Sequence, residues 1–374
     1  MEREAVLVGI DVGTSKTCAL IGEVGRDGRL TIMGHGTVPS SGLKKGGIVN
    51  IEQTVRSIAD AVERAERLSG WKIDRAFVGV GGVSVESLNS TGQVAVTAHS
   101  REVTHEDINR AIEVARAVSI PSNRRELHVE RRGFTVDGQE GVRDPIGMSA
   151  LRLEVEAHIV TASATAIQNL SKCVELAGVK IDELVVDALA SGEAVLTDTE
   201  KELGVAVADI GAGTIDLALF ADGSPFHTAV LPIGGNNVTN DIAVGVKTTL
   251  QVAEELKIRH GTCDLRNLED EEISVSVSTA SADASPLPTS SSILTPASWT
   301  HLVRFWTAVA DADTMWASTS SRSALMPSGS LTPSWPSTVK PRRSTWSTSR
   351  LLGIDTALAT SMARFTSSRV TSRW

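Results

Sequence analysis

The chain has 374 residues and a formal net charge of −9, and this length is sufficient for two domains with complete hydrophobic cores. The acidic balance argues against a nucleic-acid partner, because nucleic acids are bound by clustered basic residues. Three cysteines without C-x-x-C spacing are typical of a reducing compartment. No apolar run has the length of a signal segment or a bilayer span, so we expect a cytoplasmic location.

The first 82 residues predict a three-stranded meander followed by a helix and a further strand. Helix 51–69 has apolar residues at three- and four-residue spacing and is followed by Gly70, a typical residue after a helix end. This β-β-β-α-β order predicts a sheet covered by a helix, which defines an α/β fold. The predicted strands are 6–10, 17–24, 30–38 and 75–80.

Residues 83–147 change to an α+β character, which predicts an inserted subdomain. It contains a strand near 93–97, a helix over 106–117 and strands near Leu127 and Phe134. We assign the residues on both sides of it, 1–82 and 148–200, to a first α/β domain. The predicted elements after the insert are strand 151–160, helix 164–177, strand 181–186 and helix 188–196.

A second domain is expected to begin at residue 201, and its first strand repeats a pattern from the start of the chain. Residues 205–216 read VAVADIGAGTID and residues 6–16 read VLVGIDVGTSK, so an apolar strand ends in Asp209 or Asp11 and runs into a glycine turn. After both turns apolar residues alternate with a period of two, whereas the glycines of a dinucleotide fold or a P-loop open a helix. We therefore predict two β-hairpins.

Each predicted hairpin turn carries the groups that phosphate binding requires. Glycine lets backbone N–H groups approach phosphate oxygens closely, and each turn has a hydroxyl, Thr14 or Thr214. Asp11 and Asp209 stand where Mg²⁺, through its retained waters, would need carboxylates. Facing each other, the hairpins would hold a nucleotide's phosphates from both sides. The predicted residues are Asp11, Gly13, Thr14, Ser15, Lys16, Asp209, Gly211, Gly213 and Thr214.

Three colinear motifs resemble the FtsA family of bacterial cell-division proteins, namely residues 9–16 (GIDVGTSK), 41–48 (SGLKKGGI) and 209–216 (DIGAGTID). The resemblance extends to about Gly261. It implies the duplicated ribonuclease-H-like architecture of the actin, Hsp70 and sugar-kinase superfamily, with ATP and Mg²⁺ between the halves. It also implies that residues 83–147 are the family's SHS2-type subdomain, which contacts a neighbouring protomer and other division proteins.

The resemblance identifies residues 253–257 (AEELK) as the adenosine-side helix. Glu254 and Lys257 share one helix face at i,i+3 spacing, from which they would reach ribose and base. Without the resemblance, the same spacing is typical of a solvated ion pair. The second domain is expected to be incomplete in this chain and to end at residue 264.

Two further positions have a functional and an ordinary interpretation. Gly234, Gly235 and Asn236 follow the predicted strand 226–233, where they let the backbone approach the nucleotide or form a plain turn. Asp187 lies between a strand and a helix, near the place where Hsp70-like relatives carry a catalytic carboxylate. Its ordinary role there would be a helix N-cap.

The composition changes abruptly after residue 264. Residues 276–374 contain 38 Ser or Thr, six of the seven Trp and no Glu, without a sustained period of 3.6 or 2. We expect 265–374 to have no defined fold. Six tryptophans argue against a solvated stalk and the missing period argues against a folded domain, so we favour translation in a shifted reading frame. The membrane helix that the resemblance implies is not readable at 364–374.

The leading hypothesis is an ATP-binding, actin-like cell-division protein with at most weak ATPase activity. By resemblance, it would assemble into filaments and join FtsZ polymers to the cytoplasmic face of the membrane at the division site. This chain is expected to lack the FtsZ-binding and membrane-anchoring parts. The alternatives are a small-molecule kinase of the same superfamily, which would need Asp187 and an acceptor pocket, and an actin-like adaptor of pilus assembly, disfavoured by the motif at 41–48.

Overall fold

The computed structural model describes residues 5–26, 28–97 and 101–261, together with the backbone of two short strands at 273–276 and 291–294. The described residues fall into two compact units, one that ends at Gly235 and one that begins at Asn236. The predicted tail at 265–374, including 364–374, lies outside the described residues apart from those two strands. Its expected lack of a fold therefore stays a prediction.

The described elements are numbered in chain order. The strands are β1 (Ala5–Val12), β2 (Lys16–Val24), β3 (Leu30–Pro39), β4 (Leu43–Lys44), β5 (Gly47–Ile48), β6 (Arg75–Val80), β7 (Glu86–Ala95), β8 (Arg124–Val136), β9 (Gln139–Val142), β10 (Arg152–Ser163), β11 (Lys180–Val186), β12 (Val205–Ile210), β13 (Ile215–Ala221), β14 (Ser224–Leu231), β15 (Ile273–Ser276) and β16 (Ser291–Leu294). The helices are α1 (Ile51–Ser69), α2 (His105–Arg116), α3 (Ala164–Leu176), α4 (Asp187–Val195), α5 (Asp198–Leu203), α6 (Gly235–Val246) and α7 (Leu250–His260).

A five-stranded mixed sheet carries the first glycine turn. Its order is β11-β6-β1-β2-β3, with an antiparallel β1-β2-β3 meander and with β6 and β11 parallel to β1. The core beside it is formed by buried Ile10, Ile21, Ile58 and Val78, all fully inaccessible to solvent. The predicted α/β organisation of this part of the chain is confirmed.

Helix α1 has the predicted bounds, and its ends explain why. Asn50 accepts a hydrogen bond from the Gln53 N–H (3.0 Å), and Gly70 ends the helix in the left-handed conformation at φ 76°. The helix lies directly on β3, because a Cβ atom placed on Gly36 would be only 1.9 Å from Ala61 O. Glycine at this position thus sets the distance between helix and sheet.

A four-stranded antiparallel sheet, in the order β7-β10-β8-β9, forms the insert with α2. The predicted reciprocal cap of α2 is present, since Thr104 Oγ1 accepts from the Asp107 N–H and the Asp107 carboxylate accepts from the Thr104 N–H. A Cβ atom on Gly92 would lie 1.9 Å from Ala111 O. Helix α2 therefore rests on β7 as α1 rests on β3.

Two expectations about the insert are wrong. The strand predicted at 151–160 was assigned to the first α/β domain, but it is β10, paired on both sides within the insert sheet. The assignment was wrong because its buried residues Leu153, Val155 and Ile159 give β10 the apolar pattern of a core strand, and this pattern does not indicate which sheet the strand joins. The strands predicted near 127 and 134 are a single strand, β8, whose register shifts opposite Glu156 and Ala157. That irregularity interrupts the alternation of the sequence.

The second hairpin belongs to a three-stranded antiparallel meander, β12-β13-β14. Val207, Ala218 and Phe220 join the same hydrophobic cluster as the first sheet. Helix α5, which precedes this meander, was not predicted. Its start carries a second reciprocal cap, between Thr197 and Glu200.

The second unit, described by itself, contains α6 and α7. These helices bury a small apolar cluster that includes Ile242, Val246 and Leu256. Strands β15 and β16 pair antiparallel. Among the described helices, none combines the length and the apolar character that a membrane crossing needs.

Candidate functional site

Both predicted hairpins are present, and their turns close in the same way. The Gly13 N–H donates to Lys16 O (3.0 Å), and the Gly211 N–H donates to Thr214 O (2.9 Å). The same sequence offset relates Asp11 to Asp209, each two residues before the closing glycine. The two turns are therefore equivalent position by position.

The sequence predicted the same role for the hydroxyls of Thr14 and Thr214, but the two threonines occupy different positions in the equivalent turns. Thr14 corresponds to Ala212, whereas Thr214 corresponds to Lys16. Thr214 is buried and its hydroxyl donates to Asp216 Oδ2 (3.0 Å). Its proton is thus directed at a carboxylate, so the structure does not match the expectation that Thr214 directs its hydroxyl at a phosphate.

The two turns line one cavity of about 390 Å³ within the first unit. The N–H groups of the four residues at the turn tips form no hydrogen bond within the described chain, and such donors are the groups that bind phosphate oxygens. The tips lie against each other, because a Cβ atom on Gly213 would be 2.8 Å from Thr14 Oγ1. The tip residues are Thr14, Ser15, Ala212 and Gly213.

The structure places all nine residues predicted for phosphate and Mg²⁺ binding in the lining of this cavity, and their binding role stays a prediction. They are Asp11, Gly13, Thr14, Ser15, Lys16, Asp209, Gly211, Gly213 and Thr214. Ser191 of α4 donates its hydroxyl to Asp209 Oδ2 (2.8 Å). In the described part of the chain, no group of three or more His, Cys, Asp or Glu side chains has an arrangement that would hold a metal ion directly.

Gly234 and Gly235 pack directly against the backbone of the second turn. The Gly235 N–H donates to Gly211 O (3.0 Å), and a Cβ atom on Gly234 would lie only 2.5 Å from that oxygen. Larger residues would push the turn away, so glycine is required by close approach here. Asn236 follows in the first turn of α6 and belongs to the second unit.

Glu254 and Lys257 lie on α7 of the second unit and form an ion pair (2.6 Å). Lys257 also donates to Thr239 Oγ1 (2.9 Å), and the Thr239 hydroxyl donates to Glu254. Burial raises the pKa of Glu254, but the hydrogen bonds from Lys257 and Thr239 and the lysine charge together hold it below its ordinary value. Their predicted nucleotide contact stays a prediction.

Asp187 does not cap a helix, since the N-cap of α4 is Val186 and no side-chain capping bond is made. Its carboxyl group lies against the end of β6, where a Cβ atom on Gly79 or on Gly81 would be 2.4 Å from one of its oxygens. Oδ1 is buried without a hydrogen-bond partner among the described residues. Burial, followed by the charges of three nearby aspartates, raises the pKa of Asp187 well above its ordinary value.

Asp216 was missed as a site residue. It accepts hydrogen bonds from the Gly82 N–H (3.2 Å) and from Thr214, and it is 8% exposed. Burial raises its pKa, against these two hydrogen bonds, and the charge of Asp209 adds to the rise. The sequence pattern of β13 could have identified Asp216, because strand alternation places it on the same buried face as Ala218 and Phe220. A carboxylate on the buried face of a strand indicates a functional group.

The repeated meander with its two aspartate and glycine turns defines an actin-like protein. In agreement, the fold is similar to a solved chain of the "PilM-PilN type IV pilus biogenesis complex", with a TM-score of 0.51, 18% identity, and coverage of 69% of this chain and 71% of that chain. At that identity the likeness concerns the fold alone. The family is given by sequence comparisons.

Two family models match the chain: "SHS2 domain inserted in FTSA" at residues 82–161 and "Cell division protein FtsA" at residues 206–367. The chain is 50% identical over 263 residues to the "Cell division protein FtsA" of Pseudomonas aeruginosa (70% of this chain, 62% of the relative) and 41% identical over 273 residues to that of Bacillus subtilis (73% and 62%). The chain belongs to the FtsA family. It spans slightly less than two thirds of the length of these relatives.

The matched ranges bear on two boundaries. The SHS2 match includes β10, in agreement with the sheet pairing and beyond the predicted end of the insert at residue 147. The FtsA match reaches residue 367, past Gly261, where we expected the resemblance to stop, whereas the alignments with the two relatives cover only 263 and 273 residues. The shifted-frame interpretation of 265–374 stays a prediction.

Proposed function

We propose that this chain binds ATP with Mg²⁺ in the cavity between the two hairpin turns and acts as an actin-like protein of cell division. The observation that carries the proposal is that both turns line one cavity and that the backbone N–H groups of their four tip residues form no hydrogen bond within the described chain. Such donors match the negative oxygens of a polyphosphate. The cavity volume is in the usual range for small-molecule sites.

Asp11 and Asp209, at the equivalent strand ends, are the groups that would hold Mg²⁺ through its waters. Bound Mg²⁺ supplies charge neutralisation of the phosphates. Asp187 is the proposed general base of a weak ATP hydrolysis. Because burial and the neighbouring aspartates raise the pKa of Asp187, this role requires a cation nearby that favours the ionised form.

Calorimetry with ATP and Mg²⁺ tests the binding site. Asp11→Ala and Asp209→Ala should each weaken binding by about tenfold or more, since each removes a charge at the metal position. Asp60→Ala, an exposed aspartate on α1, is the matched control and should bind as the wild type does. Wild-type affinity in both cavity variants would reject the site.

For the whole protein we propose the role that the family name carries, division-ring assembly, with FtsZ as the polymer partner, filament formation, and a location at the cytoplasmic face of the cell membrane. Co-sedimentation of a version with the reading frame restored, with FtsZ polymers and lipid vesicles, tests it, because the chain as given is expected to lack the FtsZ-binding and membrane-anchoring parts. A screen with labelled ATP addresses the kinase alternative, because efficient phosphate transfer to a metabolite, abolished by Asp187→Asn, would replace the adaptor role. The pilus-assembly alternative gains nothing from a likeness that concerns the fold alone.

A further inference from the structure

We propose that His128, a buried histidine of the insert, is a positioning residue that holds the start of helix α4 and, with it, the carboxyl group of Asp187 in the cavity. The inference rests on the proposed function and deepens it, because it identifies what places the proposed general base. No sequence motif singled out His128. In the structure its ring contacts the residue that directly precedes Asp187.

The contact is a hydrogen bond between two buried groups. The backbone N–H of Val186 donates to His128 Nε2 (3.1 Å) across 58 residues of sequence. Val186 is 1% exposed and His128 is 2% exposed. Because a backbone N–H can only donate, the accepting Nε2 carries no proton, and the neutral imidazole carries its proton on Nδ1. The bond therefore requires a neutral histidine in one defined tautomer.

The position of Val186 in the sheet explains why its N–H needs this partner. Val186 ends β11, which lies at the edge of the five-stranded sheet and pairs with β6 alone among the described strands. It is also the N-cap residue of α4, where no side chain forms a capping bond. A buried backbone N–H without a partner is unfavourable. At this point His128 thus supplies the acceptor that a further strand would supply.

Helix α4 begins directly after this contact and brings two side chains to the cavity. Asp187 and Ser191 are four residues apart, so they share one face of the helix, and both line the cavity. Ser191 donates its hydroxyl to Asp209 Oδ2 (2.8 Å). A shift of the helix start would therefore move both groups relative to the second turn.

The space that Asp187 occupies is narrow. A Cβ atom on Gly79 would lie 2.4 Å from Asp187 Oδ1, and one on Gly81 would lie 2.4 Å from Oδ2. Oδ1 is buried and has no hydrogen-bond partner among the described residues, so no such bond fixes that oxygen. The place of the carboxyl group therefore depends on the backbone that carries it, and this backbone is held at Val186.

The strand that carries His128 is itself held where it begins. Arg124, four residues earlier on β8, donates to Ser84 O (3.0 Å) and to both Thr161 Oγ1 (2.9 Å) and Thr161 O (3.0 Å). Ser84 precedes β7 and Thr161 lies near the end of β10, so one side chain joins the strands that enter and leave the insert. His128 therefore extends from a fixed part of the insert.

Single-turnover hydrolysis, with the full chain in excess over ATP and Mg²⁺, tests the inference. His128→Phe keeps an aromatic ring but offers no acceptor to the Val186 N–H. It should slow hydrolysis about tenfold or more, because a small displacement of a reacting group has a large effect on rate. Calorimetry should find ATP bound within about twofold of the wild-type affinity. His128→Gln has a carbonyl oxygen at similar reach and should recover most of the rate.

The matched control is His158→Phe. His158 is also a fully buried histidine of the insert, but its Nε2 contacts Thr228 of β14 instead of β11. This variant loses a comparable hydrogen bond in the same sheet, so it should hydrolyse ATP at the wild-type rate. If it slows hydrolysis as much as His128→Phe does, the effect is one of general stability and the positioning role is wrong.

A second measurement does not depend on hydrolysis. In the wild-type background Asp187→Asn should raise the melting temperature at pH 7, because a neutral amide tolerates the buried position better than a carboxyl group does. In the His128→Phe background the carboxyl group can move toward solvent, so the same change should give less than about half of that rise. In the His158→Phe background the full rise should remain. His128→Leu takes the place of His128→Phe in both measurements if the phenylalanine variant does not fold.

The outcomes separate this inference from the proposed function. If Asp187→Asn abolishes hydrolysis but His128→Phe hydrolyses ATP at the wild-type rate, the positioning role is wrong and the proposed function stands. If the wild-type chain does not bind or does not hydrolyse ATP, that part of the proposed function fails and the melting temperatures decide. An undiminished effect of Asp187→Asn in the His128→Phe background then rejects the positioning role, and a diminished effect supports it.

Discussion

Asp187 and Asp216 hold their carboxyl groups against the same glycine, since a Cβ atom placed on Gly81 would lie 2.4 Å from Asp187 Oδ2 and 3.1 Å from Asp216 Oδ1. They reach this point from different elements, since Asp187 is the first residue of α4 and Asp216 is the second residue of β13. Burial and nearby like charges raise the pKa of both groups. Carboxyl groups whose pKa values are raised by burial and by neighbouring charges are typical of functional sites.

The first prediction concerns the effect of this arrangement on stability. A carboxyl whose pKa is higher in the folded protein than in the unfolded chain lowers the free energy of unfolding as pH rises above the unfolded value of 3.8. Asp187→Asn removes that loss. Without nucleotide, the variant should therefore melt a few degrees higher than the wild type at pH 7, and the difference should vanish near pH 3.8 and below.

Thermal unfolding of both proteins between pH 3.5 and 8 is the measurement. Asp60→Asn, on the exposed face of α1, controls for the loss of a negative charge in an acidic protein. A variant that is less stable than the wild type at neutral pH would contradict the idea that the buried Asp187 carboxyl opposes folding.

A second prediction concerns His158, a fully buried histidine of β10 in the insert, whose side chain contacts β14. Its Nδ1 lies 2.7 Å from Asn89 Oδ1 and its Nε2 lies 3.0 Å from Thr228 Oγ1. Burial, then the charges of His227 and Arg132, lower the pKa of His158 from 6.5 to about 4. Its neutral form is therefore the one that the fold accommodates.

Because the pKa of His158 is lower in the folded protein than in the unfolded chain, neutral His158 contributes fully to the free energy of unfolding above pH 6.5. This contribution is lost as the pH falls toward 4. The loss amounts to as much as about 3 kcal/mol in the free energy of unfolding. Urea unfolding at pH 7.5, 5.5 and 4.5 should show it. His158→Gln should be less stable at pH 7.5 and should lack this part of the pH dependence, whereas His105→Gln, an exposed change, should keep the wild-type profile. Identical profiles for His158→Gln and wild type would reject this assignment.

The third prediction concerns the glycines under the helices. Ala substitution at Gly36 or Gly92 would bring a Cβ atom to 1.9 Å from a helix carbonyl oxygen, that of Ala61 or Ala111. The helix must then move off its sheet, and each change should cost about 1–3 kcal/mol of stability. Gly133→Ala is the control, because a Cβ atom in that strand meets nothing within 4 Å. Equal stability of all three variants would contradict the prediction that Gly36 and Gly92 are needed for close packing of the helices on the sheets.

The sequence predicted the two glycine-turn hairpins well because their signals are local. A strand that ends in Asp, a glycine turn and a return with period two together determine a hairpin, whatever surrounds it. The turn at Asp209 and its copy at Asp11 were therefore found with their neighbours. The partner of a strand is not a local property, which is why β10 was assigned to the wrong sheet.

The roles of individual groups at the site were harder to predict for the same physical reason. Asp216 accepts hydrogen bonds from Thr214, two residues away, and from Gly82, which lies 134 residues away in the chain. Nothing in the sequence near Gly82 indicates that contact. The contact of the Gly46 N–H with Thr14 Oγ1 is a similar case, since the only sequence signal of Gly46 was membership of a family motif.

The last prediction follows from the different positions of the two threonines in equivalent turns. The Thr214 hydroxyl donates to the buried Asp216, whereas Thr14 Oγ1 accepts from the Gly46 N–H and its own proton has no acceptor among the described residues. Thr214→Val leaves a buried carboxylate without one of its two donors, which should cost about 1–3 kcal/mol of stability in the absence of nucleotide. Thr214→Ser should recover most of it. Thr14→Val is the matched comparison and should change stability by about 1 kcal/mol or less, because it removes a single, partly buried hydrogen bond from the Gly46 N–H. Urea unfolding of the four proteins at pH 7 measures these differences. A Thr14→Val chain that is destabilised as much as Thr214→Val would contradict the division of the two hydroxyls into a structural and a ligand-directed one.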